Sequence, residues 1–295
     1  MSIAAKALKR ENNEQGDMFE VFNEAIYRQR WIDYPVALAA LDHLQRIFDH
    51  PKTHRPPCCL MVGDTNNGKT TIGLQFMEIQ NRPFHELDSQ ERRPVICVQA
   101  PPGPDLGELY GGILKSIAAP FQMSWRWNKK QSQLLTLLPN LGVGMIIIDE
   151  IHNINQGNRD QQILFLNGIK FLTNELRIPI VAIGTKNAET IFQTDQQMGN
   201  RFEPFRLPKW EPGVEYSKFV NRIITSSGFE PDKEFLNKRV LNQIHVESGG
   251  LTGETMKLVQ SIIREAAGLG EKIISPSHFD KIDWVRPAER RRRAK

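Results

Sequence analysis

"GDTNNGKTT", residues 63–71, follows the apolar run "PPCCLMV". Gly63, Gly68, Lys69 and Thr70 fit the spacing G-x-x-x-x-G-K-[ST] of a phosphate-binding loop. Glycines let the backbone curl so that its N–H groups face phosphate oxygens. The helix that follows adds the positive end of its dipole. Lys69 reaches the β- and γ-phosphates in such a loop, and the Thr70 hydroxyl ligates magnesium. Gly63, Asp64, Thr65, Asn66, Asn67, Gly68, Lys69, Thr70 and Thr71 form the candidate nucleotide cradle. Asn66 and Asn67 fill variable positions and suit turn geometry.

The partner motif is "MIIIDE", residues 145–150. Four apolar residues carry a strand to its carboxyl end, where open α/β sheets place ligands. Asp149 is the expected magnesium ligand. Glu150 is the expected base or orienter of the attacking water, with a helix-capping acid as the alternative. The stretch "TKNA" (185–188) starts like a guanine-recognition motif but has Ala188 where an aspartate is needed. "DEIH" also lacks the D-x-x-G glycine. Both points favour ATP over GTP. Thr185 or Asn187, at the end of "IPIVAIGTKN", is placed to sense the γ-phosphate. Arg201 in "GNRFEPF" could reach a neighbouring subunit's γ-phosphate, or be an ordinary surface arginine.

Working outward, apolar runs alternate with helical segments. "CCLMV", "PVICVQA" (94–100), "MIIIDE" and "IPIVAIGT" (178–185) read as strands buried on both faces. The alternation argues for an α/β fold, a parallel sheet flanked by helices. Before it, the pattern from Phe19 to Asp49 is helical with a break at "DYP". Asp33 can cap the second part, and Pro35 suits its first turn. Leu38, Leu41, Leu44, Ile47 and Phe48 form its expected apolar stripe. After "RFEPFRLPKW" (201–210) four short helical patterns read as a small second domain of about 75 residues. The expected division is 1–28, a polar and helical extension; 29–207, the nucleotide-binding core; 208–284, a helical lid; and 285–295, a basic tail.

Of the 295 residues 40% are hydrophobic and 24% charged, as in an ordinary globular chain. No apolar run approaches the ~18 residues of a membrane span. The N-terminal stretch soon turns polar and charged and does not read as a signal peptide. Cys58, Cys59 and Cys97 form no C-x-x-C pair and read as reduced, buried thiols of a cytoplasmic protein. The net charge of +4 is uneven. Residues 286–295 hold six of the 38 basic and one of the 34 acidic residues, leaving 32 against 33 elsewhere. Such a tail suits nucleic acid, an acidic partner or a solvated end.

With these motifs in order, the chain resembles the AAA+ ATPases, and more closely the TniB/TnsC family of transposition regulators. "RWIDYPVALAALDHL", "HPKTHRPPCCLMVGDTNNGKT", "IIIDEIHNI", "IVAIGT", "NRFEPFRLPKW" and "GGLTGE" carry the likeness, over about residues 28 to 275. It implies an AAA+ P-loop core with a helical lid, ATP and Mg2+ as cofactors, and ATP hydrolysis. It also implies a homo-oligomer, ring or helical filament, on double-stranded DNA. This assembly would recruit a DDE transposase, work with a TniQ-like target-selection protein, and dissolve on hydrolysis. By motif position, Lys69 and Thr70 contact phosphate and magnesium, Asp149 and Glu150 form the acidic pair, Thr185 is the sensor, and Arg201 is the arginine finger. Tyr34 and Pro35 fall where the family's leading segment flanks adenine. One departure stands out. Where many AAA+ lids carry a G-x-x-R arginine, "GGLTG" places Gly253. Slow hydrolysis is therefore expected, with Lys257 a candidate substitute.

"SWRWNKKQSQ" (124–133) sets Arg126, Lys129 and Lys130 beside two tryptophans. It is either a DNA-facing patch or an amphipathic helix with a solvated basic face. Two other functions share the same core: a helicase-loader-type AAA+ ATPase, and a signalling NTPase switch without a DNA role.

Overall fold

The computed structural model describes residues 31–82, 92–194 and 196–293. The expected extension 1–28 and the part of the helical pattern from Phe19 to residue 30 lie outside them. The chain divides into two compact units. One is Val36–Pro208; the other joins residues 31–35 to the chain from Lys209 onward.

The first unit alternates strand and helix: α1 (Pro35–Phe48), β1 (Cys58–Gly63), α2 (Lys69–Gln80), β2 (Val95–Gln99), α3 (Leu106–Ser116), α4 (Trp127–Asn140), β3 (Met145–Asp149), a 3-10 turn (Ile151–Gln156), α5 (Arg159–Leu176), β4 (Ile180–Gly184), α6 (Asn187–Thr194), α7 (Gln196–Gly199) and β5 (Phe202–Leu207). The five strands are parallel in the order β2-β3-β4-β1-β5. β1, β3 and β4 are buried at every residue, which explains their unbroken Cys/Leu/Ile/Val sequences. α2 lies close on the sheet at Gly73, where a Cβ would stand 2.8 Å from Ile183 Cδ1. Polar side chains start the helices at defined residues. Asp105 accepts from the Glu108 N–H at 2.8 Å, and Asn158 and Gln161 form a capping box on α5.

Two sequence expectations shift. In α1 the buried stripe is Ala37, Ala40, Leu44 and Ile47, while Leu38 is exposed. The two alanines keep the 3.6-residue phase and let the helix approach closely, so the larger leucine turns outward. The second difference is β5, a strand not among those named from the sequence. Only its end residues Phe202 and Leu207 are buried, and Pro204 sits within its exposed middle. It is one of the sheet's two edge strands, the place where a proline without an N–H is tolerated.

The second unit holds α8 (Val214–Ser226), α9 (Lys238–Ser248), α10 (Thr252–Gly268), α11 (Pro276–Lys281) and α12 (Pro287–Arg293). A short parallel pair, β6 (Glu230–Pro231) and β7 (Ile273–Ile274), lies among them. Phe219, Ile223, Ile244, Leu258 and Ile262 are among its core residues. The Tyr216 hydroxyl is buried within reach of Ser248 Oγ (3.3 Å) and Thr255 Oγ1 (3.1 Å), which satisfies a polar group inside that core. Gly249 and Gly250 both take left-handed backbone, φ 63 and 65, and turn the chain sharply from α9 into α10. No helix among the described residues is long and apolar enough to cross a membrane.

Candidate nucleotide-binding site

β1 ends at Gly63, and the loop 64–68 turns into α2 with Lys69 as its first residue. Two positions need left-handed backbone: Asn66 (φ 61) and Gly68 (φ 85). Asparagine and glycine are the residue types that adopt it most readily. Asn67 does more than favour a turn. It is 1% exposed, and its amide donates to Leu207 O at 3.3 Å and Pro208 O at 2.9 Å. The loop is thereby tied to the end of β5, a role that no feature of the local sequence signals.

Lys69 is buried at the base of the loop, donating to Gly63 O (3.1 Å) and Asp64 O (2.7 Å). Burial pulls its ammonium below the usual lysine range, against the opposing pull of Glu150, Asp149 and Asp64. Thr70 donates its hydroxyl to Asp149 Oδ2 at 2.6 Å. The other oxygen, Oδ1, accepts the Glu150 N–H at 2.7 Å, which fixes the carboxylate's orientation. Glu150 itself has φ 55, a strained conformation for a residue with a side chain. Its Oε2 lies 3.0 Å from His152 Nδ1, off the line of a good hydrogen bond. His152 and Lys186, which is 3.4 Å from Asp64 Oδ2, are neighbours that sequence spacing did not single out.

Thr185 follows Gly184, whose partner in β1 is Val62. It therefore stands beside the start of the loop. Asn187 is exposed at the first position of α6. Magnesium tolerates a site with one or two protein oxygens, the others being phosphates and waters. Thr70 Oγ1 and Asp149 Oδ2, converging from two elements, fit that donor set. No group of three or more His, Cys, Asp or Glu among the described residues forms a fuller metal cage.

The other expected residues have contacts of their own. Arg201 sits just before β5, and its carbonyl accepts the Cys58 N–H at the first residue of β1. That is the amino end of the parallel sheet, opposite the loop. Its guanidinium donates to Thr173 Oγ1 of α5 at 2.6 Å. Tyr34 and Pro35 belong to the second unit, where the Tyr34 ring packs against Trp210 (5.2 Å) and Phe219 (5.3 Å). Of the three basic residues at 126–130, Arg126 and Lys129 are exposed, and Lys129 Nζ lies 3.8 Å from the Trp125 ring centre. Lys130 is a correction. It is 3% exposed, and its ammonium donates to Gly107 O (3.1 Å) and Met123 O (3.3 Å). It is in phase with buried Leu134 and Leu138, a spacing of four already visible in the sequence. In the lid, Gly253 lies in the first turn of α10, and Lys257 Nζ is 3.9 Å from Glu254 Oε1.

A parallel sheet with a phosphate loop after β1, an acidic pair after β3 and a helical unit beyond β5 defines an AAA+ P-loop ATPase. Within that class, residues 23–212 match the family model of the bacterial TniB protein, and the chain belongs to the TniB family. No curated protein matches the chain. Among solved structures it resembles the Aeropyrum pernix ORC2 protein in ADPNP–ADP complexes: 14% identity over 87% of this chain and 69% of that one, TM-score 0.64. The Aeropyrum pernix ORC1 protein in complex with DNA matches at 15% identity, 87% and 67% coverage, and TM-score 0.64. Cdc6p from Pyrobaculum aerophilum matches at 14%, 87% and 69%, with TM-score 0.53. At these identities the likeness is one of fold.

Proposed function

We propose that this protein is an ATP-dependent, DNA-binding regulator of transposition. It assembles on target DNA in its ATP state, recruits a DDE transposase beside a TniQ-like selection protein, and is released by hydrolysis. One contact carries the nucleotide half of this reading. Thr70 and Asp149, 79 positions apart, meet at 2.6 Å beside Lys69. Family membership supports the transposition half.

In this reading Lys69 leaves the loop carbonyls for the β- and γ-phosphates, and the loop N–H groups cradle them. Thr70 and Asp149 would hold a magnesium ion, which would supply neutralisation of charge on the phosphate oxygens. Glu150 orients the attacking water and accepts its proton. Thr185 marks the γ-phosphate from the end of β4. β1 spans six residues, roughly 17–20 Å at about 3.3 Å per residue, and Arg201 is at its far end. Arg201 thus serves the site of a neighbouring copy, which makes oligomerisation a condition of fast turnover. Arg126 and Lys129 meet DNA phosphates without reading sequence.

The test is electron microscopy of the protein on duplex DNA with a non-hydrolysable ATP analogue, with and without a transposase. Ordered assemblies that need both DNA and nucleotide are expected. Absence of DNA-dependent assembly would leave a nucleotide switch in its place.

A further inference from the structure

The basic segment after the lid core is not a simple solvated tail. Its first part, "WVRPAERRRR" (284–293), runs into α12 and lies against the lid by specific contacts. The Trp284 indole N–H donates to Glu247 O at 3.1 Å, at the last turn of α9. Arg286 makes a two-pronged pair with Glu247, Nε to Oε2 at 2.9 Å and Nη2 to Oε1 at 2.6 Å. Arg290 donates to Glu254 Oε2 at 2.9 Å, in the first turn of α10. It also donates to Val285 O at 2.9 Å, and its guanidinium lies 4.7 Å from the Trp284 ring centre. The two glutamates come from the ends of different helices, yet each meets one arginine of the same short segment.

We propose that this segment is an arm for the nucleic-acid backbone, and that Glu247 and Glu254 are built-in stand-ins for phosphate. They hold Arg286 and Arg290 on the lid until DNA exchanges with them. The inference rests on the DNA-binding reading above. A carboxylate and a phosphate offer the arginine fork the same two-oxygen geometry. Arg286 and Arg290 remain 47% and 39% exposed, so a phosphate can approach without opening the core. The carboxylates are mostly buried, Glu247 18% and Glu254 7% exposed, and stay on the lid when the solvated arginines leave. DNA offers the arginines a new partner and the release of its condensed counterions. Residues 286–295 hold six Lys/Arg against one Glu, so the displaced arm matches the charge of a duplex.

The experiment is a double-mutant cycle, read by fluorescence anisotropy on a short duplex with a non-hydrolysable ATP analogue across a salt series. Glu247→Gln should tighten binding several-fold. Arg286→Gln should weaken it and make the log–log salt slope shallower by about 0.9, the loss of one phosphate contact. Adding Glu247→Gln to Arg286→Gln should then change nothing, because the arginine that Glu247 restrains is gone. If Glu247→Gln gains the same factor in both backgrounds, the effect is general charge and the inference fails. It also fails if Glu247→Gln has no effect or weakens binding while thermal melting shows an intact fold. A wild-type protein that binds no DNA at any salt would sink the DNA reading itself, a different outcome from either.

Discussion

The two ends of the five-stranded sheet follow different rules. At the carboxyl end, polar side chains converge and the backbone turns left-handed at Asn66, Gly68 and Glu150, with strain at Glu150. At the amino end, buried Cys58 and Phe202 pair, and the expected functional residue there, Arg201, is clipped to Thr173. Because all strands run parallel, the loops that follow them emerge on one side. Chemistry within one chain is confined to that side. A charged group at the other end acts on another molecule or has a structural role.

The largest expected effect tests the carboxyl end. Lys69→Ala should abolish nucleotide-dependent assembly on DNA and reduce nucleotide affinity by about 10- to 100-fold or more, the scale of one or two charged hydrogen bonds. In the nucleotide-free fold, relief of the ammonium's desolvation offsets part of the lost donations to Gly63 O and Asp64 O, so melting should fall far less than nucleotide affinity does. Titration with a fluorescent nucleotide and microscopy read the two halves. Undiminished assembly would remove the loop from the mechanism.

The amino end is tested by mixing. Arg201→Ala should slow hydrolysis in the assembly by about 10³-fold, the lower range for an arginine finger. Glu150→Gln should bind ATP normally, hydrolyse it little and leave long-lived assemblies. An equimolar mixture of the two variants should recover turnover, because some interfaces unite an intact Arg201 with an intact Glu150. If the mixture stays inactive while each variant still assembles, Arg201 does not act across the interface and its bond to Thr173 is its whole role.

A smaller effect concerns how the carboxyl end is held. Asn67→Ala removes both donations to β5 and leaves Leu207 O and Pro208 O without that partner. A loss of about 1–3 kcal/mol is expected by chemical denaturation, with weaker nucleotide binding. Weaker nucleotide binding without loss of stability would mean that Asn67 serves the ligand rather than the loop.

Much of this was legible in the sequence because it follows from period and spacing. The first four strands announce themselves as apolar runs, and the two nucleotide motifs follow β1 and β3 directly. What was not legible depends on partners distant in the chain. β5 is hidden by Pro204 and by its mostly exposed middle, Glu203 to Arg206, which breaks the apolar run expected of a buried strand. Asn67 looks like any turn asparagine until β5, some 140 residues later, supplies its acceptors. Arg286 and Arg290 read as part of a charge run, and only the fold shows Glu247 and Glu254 opposite them. Lys130 differs, since its phase with Leu134 and Leu138 was there to be read.

That pair of lysines gives the smallest and most local test. Lys129 and Lys130 are adjacent and chemically identical, so composition treats them alike. One helical step separates an exposed ammonium over Trp125 from one buried among backbone carbonyls. Lys129→Ala should leave stability within about 0.5 kcal/mol, as for most surface changes. It should weaken DNA binding a few-fold and make the salt slope shallower by about 0.9. Lys130→Ala should do the reverse. It leaves Gly107 O and Met123 O without their cation, costs about 1–3 kcal/mol of stability, and keeps the salt slope of the folded fraction. Equal slopes for Lys129→Ala and wild type would take this surface out of DNA binding. The phosphate contacts would then have to come from elsewhere, with the Arg286–Arg290 arm as the remaining basic element described.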